Sequence, residues 1–122
     1  MKKILVVDDS AVFLEIIAEI LSGNDFEVHT ASNGSDGLKK AQILSPDLII
    51  ADLFMPDKDG FELIREYRKT SGKSRIIIMS GFGDANNNGT FLNMAIKMGA
   101  DAAFSKPIDY SALLDRMHKL LG

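Results

Sequence analysis

Short continuous apolar runs alternate along the chain with longer stretches in which apolar residues recur every three or four positions. Ile4 to Val7 is the first run, and it stops at Asp8-Asp9. Phe13, Ile16, Ile17, Ile20 and Leu21 follow at helical spacing, with Gly23 placed to cap that helix. Glu27 to Thr30 predicts a second strand. A weaker helix from about Ser35 to Leu44 stops before Ser45-Pro46. Leu48-Ile49-Ile50-Ala51 is another apolar run and also ends in an acid, Asp52. Asp59 and Glu62 make a capping-box-like pair for a third helix, with Leu63, Ile64 and Tyr67 inside and Gly72 as its end. Arg75 to Met79 predicts a fourth strand, and a polar loop from Gly81 to Gly89 follows it. The fourth helix would turn Phe91, Met94, Ala95 and Met98 inward and stop at Gly99. Ala102-Ala103-Phe104 is a short fifth strand. Asp109 opens a last helix whose inner face is Leu113, Leu114, Met117, Leu120 and Leu121.

The pattern is five βα units. Nearly continuous apolar strands are buried on both faces, as in a parallel sheet covered by helices. Five strands are too few for an eight-stranded barrel, so an open, doubly wound α/β sheet is expected. The 122 residues suit one domain, 1–122, with no internal repeat, linker or low-complexity tail. Composition agrees: 46% hydrophobic and 25% charged residues are ordinary for a globular chain. The absence of cysteine excludes thiol chemistry and cysteine-based zinc sites. His29 and His118 are too far apart in sequence to suggest a histidine metal cluster. A formal charge of −3 offers no global field for nucleic acid. The apolar run after Met1-Lys2-Lys3 stops at Asp8, well short of a signal peptide or membrane span, so the cytoplasm is the expected compartment.

In open parallel sheets, ligands bind beyond the carboxyl ends of the strands, where the winding direction switches. The residues in those places are Asp8 and Asp9 after strand 1, Asp52 after strand 3, Ser80 after strand 4, and Ser105-Lys106-Pro107 after strand 5. Three carboxylates gathered there repel one another, and burial sharpens the repulsion. A bound Mg²⁺ is the simplest remedy, since it prefers hard oxygen ligands and phosphate oxygens. With Lys106 added, the formal charges of acids, metal and lysine cancel. A phosphoryl group on Asp52 would be held by the Mg²⁺, Lys106 and the Ser80 hydroxyl, the positioning that phosphoryl transfer requires.

The set resembles the receiver domains of two-component response regulators, the chemotaxis-regulator type among them. It is carried by Asp8-Asp9-Ser10 after Ile4-Leu5-Val6-Val7, Asp52-Leu53-Phe54-Met55-Pro56 with Asp59-Gly60 following, Ser80-Gly81 after Ile76-Ile77-Ile78-Met79, and Lys106-Pro107. Each piece is weak alone; in order, each at a strand end, they cover essentially the whole chain. The resemblance implies a flavodoxin-like (βα)5 fold with strand order 2-1-3-4-5. It implies a phosphorelay switch rather than a turnover enzyme, catalysing only its own phosphorylation and dephosphorylation. Asp52 would be the acceptor. Asp9 would bind Mg²⁺ directly, Asp8 mostly through water, and the Phe54 backbone carbonyl would be a further ligand. Lys106, ahead of a cis peptide to Pro107, would pair with the phosphoryl group. Ser80 would swing toward it and Phe104 would rotate inward, shifting the face formed by helix 4, strand 5 and helix 5. A histidine kinase or histidine phosphotransfer domain would be the donor, and an unidentified protein the target. No direct nucleic-acid or membrane partner is implied, and a phosphorylation-dependent dimer is compatible with the family.

Two departures stand out against that family. The stretch from Ser80 to Lys106 is a few residues longer than usual, with Asn86-Asn87-Asn88-Gly89 as the insertion. Phe54 and Phe82 stand two residues beyond Asp52 and Ser80, where bulky apolar groups are expected to slow self-hydrolysis. Blander readings accompany each residue: Asp8-Asp9 as a strand end and cap, Lys106 as a surface charge, Ser80 as a turn residue, Phe104 as core. Asp57, Asp59, Gly60 and Glu66 mimic part of a calcium loop, but the first ligand position would be Met55. Gly81-Phe82-Gly83 lacks the third glycine of a dinucleotide fingerprint. The basic residues Arg65, Arg68, Lys69, Lys73 and Arg75 read as a solvated face, and Met94, Met98 and Met117 as core. Competing functions are a Mg²⁺-dependent phosphohydrolase using Asp52, which would want an acid where Phe54 stands; a flavin module, which would want a phosphate cradle where Asp8-Asp9 stands; and a degenerate receiver used only for docking. No output segment is expected within these residues, which suit a stand-alone receiver or one cut from a longer chain.

Overall fold

A computed structural model describes residues 1–70, 72–81 and 90–122. Five strands are present: β1 Lys3–Val7, β2 Glu27–Ala31, β3 Leu48–Asp52, β4 Arg75–Ser80 and β5 Ala102–Ser105. All pair in parallel, in the order β2-β1-β3-β4-β5. The flavodoxin-like order implied by the resemblance is therefore the observed one. Among the described residues there are five helices: α1 Ala11–Ser22, α2 Gly34–Leu44, α3 Gly60–Lys69, α4 Thr90–Lys97 and α5 Tyr110–Leu121.

Alternate side chains of each strand point to opposite faces, so the sheet feeds two cores. Leu5, Val7, Ile49, Ala51, Ile76 and Ile78 meet α2, α3 and α4 through Ala41, Leu63, Ile64, Tyr67 and Ala95. Ile4, Val6, Ile50, Ile77 and Met79 meet α1 and α5 through Leu14, Ile17, Leu21, Leu113 and Met117. The three central strands are fully buried or nearly so, which is why they read as unbroken apolar runs. Side-chain caps start the helices where the sequence placed them. Asp59 accepts from the Glu62 N–H at 2.8 Å, and Asp109 from the Ala112 N–H at 3.1 Å.

Several inner faces differ from expectation. In α1 the sheet takes Leu14, Ile17 and Leu21, while Ile16 is exposed and Ile20 only partly covered. That helix is apolar around more than half its girth, so periodicity alone does not choose the buried stripe. Met94 of α4 and Met98 just after it are exposed, whereas Ala95 is buried and Phe91 packs in part against the same core. The small Ala95 side chain sits against the sheet. Met117 is buried, as expected. Gly23 ends α1 in ordinary right-handed geometry, at φ −69°; the left-handed turn falls on Asp25 instead, at φ 66°. α3 stops at Thr70, before Gly72, whose N–H still bonds to the Tyr67 carbonyl.

Candidate functional site: an acidic pocket at the carboxyl edge of the sheet

The order β2-β1-β3 places the winding switch between β1 and β3. Asp8 and Asp9 follow β1, and Asp52 is the last residue of β3. One carboxylate oxygen from each lies within 4.8 Å of the others. Among the described residues this is the one such gathering of three or more acids or histidines. Asp8 is fully buried, Asp52 is 6% exposed and Asp9 is exposed.

Each acid is held by its element. The Asp8 N–H extends the β1–β2 ladder to the Ala31 carbonyl. One Asp8 oxygen accepts from the Ser10 N–H at 2.9 Å, and the Ser10 hydroxyl in turn caps α1 by accepting from the Phe13 N–H. Behind Asp52 the backbone is crowded: a Cβ on Gly60 would come within 2.9 Å of the Asp52 carbonyl and of the Leu53 Cα. Only glycine lets α3 begin so close to the end of β3.

Lys106 arrives from the far side of the chain. Its backbone N–H bonds to the Ser80 carbonyl at 2.7 Å, and its peptide bond to Pro107 is cis. The ammonium nitrogen lies 2.6 Å from the second Asp8 oxygen and 3.7 Å from Asp52. It also sits 4.6 Å from the centre of the Phe13 ring, in cation–π range. The sequence shows Phe13 only as an aromatic at helical spacing, which gives no sign of a distant lysine.

Burial pushes the Asp52 carboxyl up to about 6, Lys106 opposes that rise, and the neighbouring Asp8 and Asp9 charges add to it. One lysine does not neutralise three converging acids, and the donor set is all hard oxygen. The site therefore fits a divalent cation such as Mg²⁺. Ser80 supplies a second indication. Its side chain is fully buried at the end of β4, and its hydroxyl has no hydrogen-bond partner among the described residues. A buried unsatisfied hydroxyl is costly, and such groups mark sites that await a partner.

Phe54 is 46% exposed, and its ring meets Phe91 of α4 edge-on. Phe104 is partly buried on β5, in register with Met79 and packed on the α1–α5 core. Phe82, expected to tune hydrolysis, lies outside the described residues, as do Asn86-Asn87-Asn88-Gly89 and Gly83. The calcium-loop mimic is otherwise employed. Asp57 accepts from the Gly34 and Ser35 N–H groups at the start of α2, Asp59 caps α3, and Glu66 pairs with Lys58. Arg68 and Arg75 of the basic face approach Asp101. A groove of about 670 Å³ lies at the opposite edge of the sheet, between Lys2, Asp47, Tyr67, Ser74 and Leu121, away from these acids.

Comparison with known proteins adds independent weight. The family described as "Response regulator receiver domain" matches residues 4–118. Chemotaxis protein CheY of Bacillus subtilis is 34% identical over 121 residues, covering 98% of each chain. The cell cycle response regulator CtrA of Brucella ovis is 31% identical over 121 residues, which are 99% of this chain but 50% of that one. Among solved structures, a response regulator receiver domain protein from Clostridium thermocellum superimposes with a TM-score of 0.88 at 32% identity, covering 99% of this chain and 94% of its own.

Proposed function

The chain belongs to the response regulator receiver domain family, and from that premise we propose that it is a phospho-acceptor switch in which Asp52 takes a phosphoryl group from a phosphohistidine. The observation that carries this reading is the buried Asp52 carboxylate flanked by Asp8, Asp9 and Lys106 at the winding switch of the sheet. An Asp52 oxygen attacks phosphorus as the bond to the donor imidazole nitrogen breaks; the donor ring, protonated on its other nitrogen, takes the electron pair and leaves as neutral imidazole, and an aspartyl phosphate remains. Asp8, Asp9, Asp52 and the Phe54 carbonyl would hold Mg²⁺. When bound, the ion neutralises charge on the transferring group. Lys106, already beside Asp52, is placed to shift its ammonium to the phosphoryl oxygens. The buried Ser80 hydroxyl, without a partner among the described residues, donates to one of them. Lys106 and Ser80 share a backbone hydrogen bond, so both respond to the same event.

That response biases the face of α4, β5 and α5, where Phe104 sits half-covered and Met94, Ile96 and Met98 are exposed. Such a face suits an effector protein or a second phosphorylated copy. The donor is a histidine kinase or a histidine phosphotransfer domain, and the reaction is confined to the domain's own phosphorylation and dephosphorylation. Residues 1–122 form one receiver domain, working in the cytoplasm. Among the described residues no helix is long and apolar enough to cross a membrane. Phe54 and Phe82 restrain hydrolysis of the aspartyl phosphate.

Beryllofluoride imitates a phosphoryl group without covalent transfer. Calorimetric titration should show it binding only when Mg²⁺ is present, and not to Asp52→Asn. Binding of equal strength to Asp52→Asn would remove Asp52 from the acceptor role.

A further inference from the structure

Phe54 follows Asp52 through Leu53, whose side chain is fully buried and whose N–H bonds to the Met79 carbonyl at 2.7 Å. The chain is thereby anchored immediately before Phe54. The Phe54 ring is nearly half exposed and belongs to the residue two positions after Asp52. It is met by Phe91 in the first turn of α4, with centroids 5.3 Å apart and planes at 88°, the edge-to-face arrangement aromatic rings prefer. Phe91 is anchored independently, in partial burial against the core that includes Leu63, Ile64, Ile78 and Ala95. One ring is held by the core, and the other takes its place from it.

We propose that Phe91 is a positioning residue for dephosphorylation: it holds the Phe54 ring beside the approach to Asp52, and so sets how long the phosphoryl group survives. This rests on the phospho-acceptor reading of Asp52. In the reaction concerned, water attacks phosphorus and the bond from phosphorus to the Asp52 oxygen breaks. The carboxylate is regenerated, and both water protons leave on inorganic phosphate. An apolar ring held at that approach keeps water from lining up opposite the breaking bond. It also ties the lifetime to α4: a movement of α4 withdraws Phe91 and frees Phe54.

The test is the release of inorganic phosphate from protein phosphorylated by acetyl phosphate with Mg²⁺. Wild type, Phe91→Ala, Phe91→Tyr, Phe54→Ala and the double alanine variant are compared. Phe91→Ala should shorten the lifetime about three- to tenfold, as expected for loss of one edge-to-face pair. Phe91→Tyr should keep it. The double variant should match Phe54→Ala, because the effect of Phe91 on the lifetime is routed through that ring. A general loosening of α4 would instead shorten the lifetime equally in the Phe54→Ala background, and that result overturns the proposal. So does a phosphorylated Phe91→Ala protein with the wild-type lifetime, which leaves the acceptor reading intact. A wild type that takes no phosphoryl group at all refutes the acceptor reading, and this inference with it.

Discussion

Opposing forces act on the Asp52 carboxylate. Burial and the neighbouring Asp8 and Asp9 charges favour its neutral form, Lys106 favours the charged one, and burial prevails, lifting its pKa to about 6. The folded value lies above the ordinary carboxylate value, so stability from this group is full below about pH 4 and is lost as the pH rises through 6. The metal-free protein should therefore be less stable at pH 7 than Asp52→Asn, by on the order of 2 kcal/mol, with the gap closing toward pH 4. Thermal melts in chelator across that range read this directly. A gap that does not change with pH would show that Asp52 is not strained by its charge. The acids, Ser80 and Lys106 were legible in the sequence because each stands within two residues of the end of an apolar run, where polar residues at the edge of a sheet gather. Phe13 was not, since its partner Lys106 reaches it only through the fold.

Among the elements, α2 and the loop between β3 and α3 depend on one another. Asp57 accepts hydrogen bonds from Ser35 and Gly34, and these hold its carboxyl well below the usual carboxylate range. Here the sign is reversed: the folded value is depressed, so the stabilisation is present above the unfolded value near 4 and is lost as pH falls. Asp57→Ala should lower the melting temperature at pH 7, and melts at successively lower pH should show that difference begin to shrink below about pH 4, as the pH falls toward the depressed folded value. A difference that stays constant as the pH falls below about 4 would mean that the carboxylate charge is not what secures α2. In the sequence Asp57 resembled a calcium-loop acid, because its real partner lies 23 residues earlier. The helix starts were legible from Asp59 and Asp109, whose caps are local. The buried stripes of α1 and α4 were not, since Ile16 and Met94 satisfy the helical period yet face outward. Period shows that a helix has an apolar face, and only the sheet decides which residues of a broad face it covers.

For the whole molecule, the parallel order β2-β1-β3-β4-β5 turns residues dispersed from Asp8 to Lys106 into one pocket. A switch built on it needs about 5.5 kcal/mol of differential stabilisation to move from 1:99 to 99:1. Under the proposed acceptor role of Asp52, a buried serine gaining a hydrogen bond and a lysine exchanging carboxylates for phosphoryl oxygens would both contribute to it. The central claim is that this pocket makes Asp52 a phosphoryl acceptor. Intact mass after incubation with acetyl phosphate, with and without Mg²⁺, tests it most directly. The account predicts a gain of one phosphoryl group in wild type only when Mg²⁺ is present, and none in Asp52→Asn. A gain that persists in Asp52→Asn, or that ignores Mg²⁺, would contradict it.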